Sequence, residues 1–132
     1  MEYPVDLFTV IVLIALPTVM FGGFSLLRLL PTGKLSGFQL TYFKAGHAHA
    51  GVLLVMALAV LSVVSGGGLG SGLRWLVCLL LTVGILAQSG GMFVHMAIGR
   101  AGSWSHGNTL TVTGAVLLAV ALLVTAYGVI VG

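Results

Sequence analysis

The sequence predicts an all-α integral membrane protein: an antiparallel bundle of four transmembrane helices, formed as a single domain over residues 1–132. Two observations carry this prediction. Hydrophobic residues make up 59% of the chain and charged residues only 5%, whereas a soluble domain carries charge on roughly a quarter of its residues. In addition, four apolar stretches reach the ~20 residues that are needed to cross the hydrocarbon core of a bilayer.

The four predicted helices cover about residues 7–27, 45–64, 75–98 and 110–131. These stretches are apolar on every side and lack the strict alternation of a transmembrane strand. The first stretch follows an acidic start, Met-Glu-Tyr-Pro-Val-Asp, and is longer than the apolar part of a secretory signal, so we interpret it as a true span. Pro17 within it predicts a bend in the first helix.

The connections between the predicted helices are short, which predicts that consecutive helices are antiparallel neighbours. Loop one contains residues 31–34, loop two residues 66–72 and loop three residues 100–107. The pairs Gly22-Gly23 and Gly90-Gly91 each precede an arginine, and a Gly-Val-Leu-Leu or Gly-Ala-Val-Leu-Leu segment follows each loop. This similarity suggests two repeated helical hairpins in the same orientation.

Lysine and arginine residues predict the orientation in the membrane. Arg28, Lys34 and Lys44 lie around loop one and Arg100 lies in loop three, whereas loop two has only Arg74. The positive-inside rule therefore places loops one and three in the cytoplasm and both termini outside. The membrane in which we expect the protein is the cell (inner) membrane. The basic residues are too few and too scattered for a nucleic-acid surface.

Histidines are the most informative polar residues, because ionisable groups at membrane depth are costly and often functional. His49 lies five residues inside Lys44, and His95 lies five residues before Arg100. At about 1.5 Å per residue, both are roughly 7.5 Å from a basic boundary on the same side of an antiparallel pair. We call the four histidines in the cytoplasmic third of the bundle the histidine layer: His47, His49, His95 and His106.

Within the segment 46–51, His47 and His49 are two residues apart. On a helix such residues point about 200° apart, so they do not share a face. They can converge on one ion only if the helix begins after His47. We expect His49 to be the inward-facing residue because it lies deeper.

The third helix carries a small and polar stripe, formed by Gly84, Gln88, Gly91 and His95 at helical spacing. We expect this stripe to face protein rather than lipid, with its glycines allowing close helix approach or leaving room for a flat ligand. The fourth helix opens with Asn108, which adds an amide at the same level.

Imidazoles from two helices, framed by small residues, can bind haem or a transition metal. The segment 46–51, Gly-His-Ala-His-Ala-Gly, resembles the histidine-bearing helix starts of membrane proteins in the haem–copper oxidase superfamily, over six residues. That resemblance implies a bis-histidine haem held by His49 and His95, with His47 and Gly91 in support. The six-histidine core of the oxidases is not present, because the chain has four histidines. For a metal ion, all four members of the histidine layer are candidate ligands.

Glu2 and Asp6 are the only carboxylates, and they are predicted to lie on the opposite side of the membrane from the histidines. No carboxylate pair for acid–base hydrolysis and no Ser-His-Asp set is available, which favours a non-enzymatic role. The single cysteine, Cys78, lies in an apolar stretch and is predicted to be inert packing.

Three functions remain open from the sequence. The first is a haem- or metal-binding membrane protein. The second is a small oligomeric channel or carrier for protons, metal ions or a small solute, with a path lined by His49, Gln88, His95 and Asn108. The third is a non-catalytic accessory subunit of a larger membrane complex. The expected partners are the lipid bilayer and either further copies of the chain or other membrane subunits.

Overall fold

The computed structural model describes residues 3–132 and has four long helices in this range, with no strand among these residues. Each helix is long and apolar enough to cross a membrane, and consecutive helices pack against each other. The predicted all-α, four-helix architecture is therefore confirmed, and it indicates a small membrane protein. The elements are α1 (Val5–Leu29), a short 3₁₀ helix (Leu30–Thr32), α2 (Gly37–Gly66), α3 (Ser71–Ile98) and α4 (His106–Val131).

Helix α2 begins at Gly37 rather than near residue 45, where the apolar stretch starts. The cause is a capping box at its N-terminus. The Ser36 hydroxyl accepts a hydrogen bond from the Gln39 backbone N–H at 3.2 Å, and the Gln39 side-chain oxygen accepts one from the Ser36 N–H at 3.0 Å. The helix thus extends beyond the apolar span by about two turns.

Helix α4 also begins earlier than predicted, and this corrects the position of His106. The sequence placed His106 in loop three, but it is the first residue of α4. The Ser105 hydroxyl accepts a hydrogen bond from the Gly107 N–H at 3.1 Å, and the Asn108 side-chain oxygen accepts one from the Ser105 N–H at 3.0 Å. These bonds satisfy backbone groups that a helix start leaves without intrahelical partners.

The most extensive helix contact joins α3 to α4. It depends on glycines, because a Cβ built on Gly91 would lie 2.5 Å from the Thr111 hydroxyl and 2.6 Å from the Gly107 carbonyl oxygen. One built on Gly114 would lie 2.6 Å from the Gly84 carbonyl oxygen. The two backbones therefore touch directly, as small residues permit in membrane helix pairs.

This contact confirms that the stripe on α3 faces protein. Gly84, Gly91 and His95 are buried and Gln88 is half-buried. The space over Gly91 is filled by α4, so the structure uses this glycine for helix approach. The predicted part of Gly91 in holding a cofactor stays a prediction.

Helix α1 is the least enclosed of the four. It packs mainly on α2 and only slightly on α3, and no contact among the described residues joins it to α4. Phe8 of α1 meets Trp75 of α3 edge-on, with ring centroids 6.0 Å apart. Between α1, α2 and α3 lies an apolar cavity of about 130 Å³, with the buried Cys78 in its wall. The helix continues through Pro17 without a break.

Loop two, rich in glycine, is held by hydrogen bonds to its backbone. Arg74 donates to the carbonyl oxygens of Leu69 at 2.8 Å and Gly67 at 3.1 Å. The Gly68 N–H donates to the Gly128 carbonyl oxygen of α4 at 3.1 Å. The loop therefore ties the end of α2 to the C-terminal end of α4.

The glycine contact between α3 and α4 gives a matched pair of variants. At Gly90 a Cβ would meet nothing within 4 Å, so Gly90→Ala should be neutral or stabilising by up to ~1 kcal/mol through helix propensity. Gly91→Ala forces the helices apart and should lower the free energy of unfolding by about 1–3 kcal/mol relative to Gly90→Ala. Titration with SDS in mild detergent measures the unfolding midpoint of both variants. Equal midpoints for Gly90→Ala and Gly91→Ala would contradict the close approach of α3 and α4.

Candidate cofactor site in the histidine layer

His95 is enclosed, with only 2% of its surface exposed. Its Nδ1 atom lies 2.7 Å from the Ser105 hydroxyl oxygen, at the start of α4. Its ring meets two rings of α2 edge-on, Tyr42 at 4.4 Å and Phe38 at 5.3 Å between centroids. The imidazole therefore joins the end of α3 to the starts of both α2 and α4.

Asn108 and Gln88 were predicted to line a polar path. The Asn108 side chain takes part in the capping box of α4, where its oxygen accepts a hydrogen bond from the Ser105 N–H, and its place on a polar path stays a prediction. Gln88 is half-buried on α3, and its backbone nitrogen lies directly against Gly114 of α4. Gln88 thus belongs to the contact between α3 and α4, whereas the Asn108 side chain bonds to the N-cap residue of its own helix.

His47 points towards α1. A Cβ built on Gly23 would lie 2.8 Å from His47 Nε2, and one built on Gly22 would lie 3.5 Å from Nδ1. The ring of Phe43 is 6.5 Å away between centroids. The Gly22-Gly23 pair therefore leaves the space between α1 and α2 that this imidazole occupies.

His49 has one nitrogen bonded within its own helix. Its Nδ1 atom lies 2.9 Å from the Ala45 carbonyl oxygen, one turn earlier. A carbonyl oxygen can only accept a hydrogen bond, so Nδ1 carries the proton. In the neutral ring, the lone pair is therefore on Nε2.

The surroundings of His49 differ from those of His95. The residue is half-buried and lines an open groove of about 180 Å³ along α2. The other residues of the groove are apolar or small: Ala48, Val52 and Leu53.

The structure does not bring the four histidines to one point. Helix α2 runs through residues 46–51, so His47 and His49 lie on different faces, as helical geometry requires. His95 contacts residues 38 and 42 of α2, and residue 42 is seven residues, or roughly 10.5 Å, from His49 along the helix. His106 is exposed at the start of α4.

Within residues 3–132, no three His, Cys, Asp or Glu side chains are placed to hold one metal ion. The pairing of His49 with His95 across a haem stays a prediction. Asp6 lies in the first turn of α1, whereas Glu2 lies outside the described residues.

Three residues around His95 were not among the sequence-predicted site residues: Phe38, Tyr42 and Ser105. A signal for Ser105 was present, because Ser105 and Asn108 have the spacing of a capping box. The same spacing at Ser36 and Gln39 marks the start of α2, and Phe38 and Tyr42 follow it within two turns. The two capping-box spacings in the sequence could therefore have predicted that α2 and α4 begin near His95.

No family model, curated protein or solved structure matches this chain. Any account of its function consequently depends on its own residues.

His95 should contribute to stability independently of any ligand. His95→Ala leaves a cavity among Phe38, Tyr42 and Ser105 and removes one hydrogen-bond partner of the Ser105 hydroxyl, so we expect a loss of about 2–4 kcal/mol in the free energy of unfolding. His106→Ala at an exposed position is the matched control and should change it by less than about 0.5 kcal/mol. Unfolding in detergent without added cofactor measures the free energy of unfolding of both variants. Equal values for His95→Ala and His106→Ala would show that His95 does not stabilise the fold.

Proposed function

We propose that this small membrane protein binds haem or a transition metal through His49. The observation that supports this proposal best is the hydrogen bond from His49 Nδ1 to the Ala45 carbonyl oxygen. It fixes the tautomer of the neutral ring, with the lone pair on Nε2. Histidines that ligate metals usually have this arrangement, with the other ring N–H donated to a carbonyl or carboxylate.

The groove beside His49 provides the second line of support. In an apolar environment, a polar atom without a hydrogen-bond partner costs free energy because no water replaces the missing bond.

 In a bilayer this cost would apply to His49 Nε2, because the other residues of the groove beside His49 are apolar. A haem iron or a transition-metal ion accepts this lone pair, and the apolar groove suits the flat, largely apolar face of a haem.

The two alternative functions have less support. A channel or carrier path along His49, Gln88, His95 and Asn108 would need side chains that are free to meet a permeant, but His95 bonds to Ser105 and Asn108 caps α4. The function of a non-catalytic accessory subunit does not require that the tautomer and orientation of the His49 ring be fixed. Cofactor binding is the function that uses the orientation of this imidazole.

The proposal predicts a coloured or metal-containing protein. Purification in mild detergent, followed by visible spectra of the oxidised and reduced states and metal analysis of the same sample, should show a Soret band or stoichiometric metal. His49→Ala should abolish this signal because it removes the ligand, whereas His106→Ala, at an exposed position, should keep it.

A wild-type sample that stays colourless and metal-free after addition of haemin and of copper and zinc salts would overturn the proposal. Flux assays and a search for partner subunits would then test the two alternatives.

We further propose that the protein lies in the cell (inner) membrane, with loops one and three facing the cytoplasm and both termini facing the outside. The support is the distribution of basic residues, since Arg28, Lys34, Lys44 and Arg100 lie at one end of the bundle and Arg74 at the other. Positively charged loops are retained on the cytoplasmic side.

This orientation can be tested with single cysteines at exposed positions. A membrane-impermeant maleimide added to intact cells should label Ser71→Cys, near loop two, and should label Ser103→Cys, in loop three, only after lysis. Unsubstituted protein measures the background, because its single cysteine, Cys78, is buried. The reverse labelling pattern would invert the topology.

A further inference from the structure

The apolar cavity between α1, α2 and α3 plays no part in the proposed function. Its volume is about 130 Å³, and buried residues of α2 form one side of it: Leu54, Ala57 and Leu61. Among the described residues, its wall has one hydroxyl, that of Thr82, which donates to the Cys78 carbonyl oxygen at 3.0 Å. The Cys78 side chain itself packs as a small apolar group. The wall therefore suits an apolar ligand.

Aromatic rings lie between this cavity and the nearer membrane surface. Phe8, in the first turn of α1, lines the cavity and meets Trp75 of α3 edge-on, with ring centroids 6.0 Å apart. The Tyr3 ring is 6.1 Å from the same Trp75 ring. Tyrosine and tryptophan are typical of the boundary between membrane and water. These rings therefore separate the cavity from the water on this side.

The opening of the cavity faces the interior of the bilayer. Ile11 of α1 and Leu86 of α3 line the cavity with exposed fractions of 42% and 67%, so the opening lies between these two helices, which contact each other only slightly. Along their helices, Ile11 is about 7.5 Å deeper than Asp6, and Leu86 is about 18 Å deeper than Arg74. In a hydrocarbon core about 30 Å thick, Leu86 therefore lies near the centre, where the ends of lipid chains meet.

We propose that this cavity binds the end of a hydrocarbon chain of a bilayer lipid, which enters between α1 and α3. An apolar protein cavity of about 150 Å³ takes up benzene, so this cavity has room for a chain end of about five or six carbon atoms. An empty cavity deprives its wall of dispersion contacts. A chain end supplies these contacts and gives up no hydrogen bond on entry. The bound chain joins α1, the least enclosed helix, to α3.

Crosslinking from within the bilayer tests the proposal. The full chain is reconstituted in phosphatidylcholine vesicles in which part of the lipid carries a diazirine near the end of one acyl chain. After irradiation, peptide mass spectrometry should find lipid attached to the buried wall residues Ala57 and Leu81. Ala121 of α4 is the matched control and should stay unlabelled, because it is as buried as Ala57 but does not line the cavity.

Filling the cavity from its own wall should displace the chain. Ala57→Leu should reduce labelling of Leu81 to the level found at Ala121, whereas Ala59→Leu, on the exposed face of α2, should leave it unchanged. Ala15→Leu fills the same cavity from α1 and serves as the second variant if Ala57→Leu does not fold.

Three results would overturn the proposal. Lipid attached to Ile11 and Leu86 but not to Ala57 or Leu81 would show that chains touch only the outer surface. Equal labelling of Ala57 and Ala121 would show that lipid reaches all buried positions alike. Labelling of Leu81 that persists in a folded cavity-filled variant would place the chain elsewhere. None of these results bears on the proposed haem or metal site, because the cavity shares no described wall residue with the groove beside His49.

Discussion

The direct backbone contact between α3 and α4 is the constraint on which the rest of the structure depends. Lipid chains are as apolar as leucine, so no hydrophobic drive pulls membrane helices together, and close packing has to supply the association. Gly84 and Gly91 on α3 and Gly107 and Gly114 on α4 remove the side chains that would separate the backbones. Because Gly107 lies against the backbone of His95, the same contact sets the position of loop three. The capped start of α4 then presents Ser105 to His95.

This constraint gives the imidazoles of α2 and α3 different surroundings. His95 is closed in by its hydrogen bond to Ser105 and by two aromatic rings of α2, so the arrangement holds three helix ends together. His47 occupies a notch in α1 that exists because Gly22 and Gly23 have no side chains. His49 bonds to its own helix and faces a groove. Residue counting from the basic boundary residues places these histidines in one layer, but helix rotation and their different levels along α2 separate them.

The sequence predicted the number and type of the helices, because uninterrupted apolar stretches of this length have few alternatives to a membrane span. It also predicted that the glycine stripe of α3 faces protein. It missed the early starts of α2 and α4, since the charge on Lys44 and the polar residues near Ser105 suggested loops, whereas capping bonds extend both helices. The histidine arrangement was harder to predict. Residue counting gives depth along one helix, but the relative level of two helices depends on their packing, and that places His95 beside Tyr42 rather than beside His49.

The state of His49 also bears on why a histidine is present at this position. An imidazole that serves only packing is best enclosed with both nitrogens satisfied, because a polar atom without a partner costs free energy in an apolar environment. His95 comes close to that condition, but His49 has one nitrogen satisfied by Ala45 and the other beside a groove with apolar neighbours. A leucine or alanine there would avoid the cost. An oriented ring at such a position becomes favourable once its lone pair has an acceptor, and the proposed haem or metal would be that acceptor.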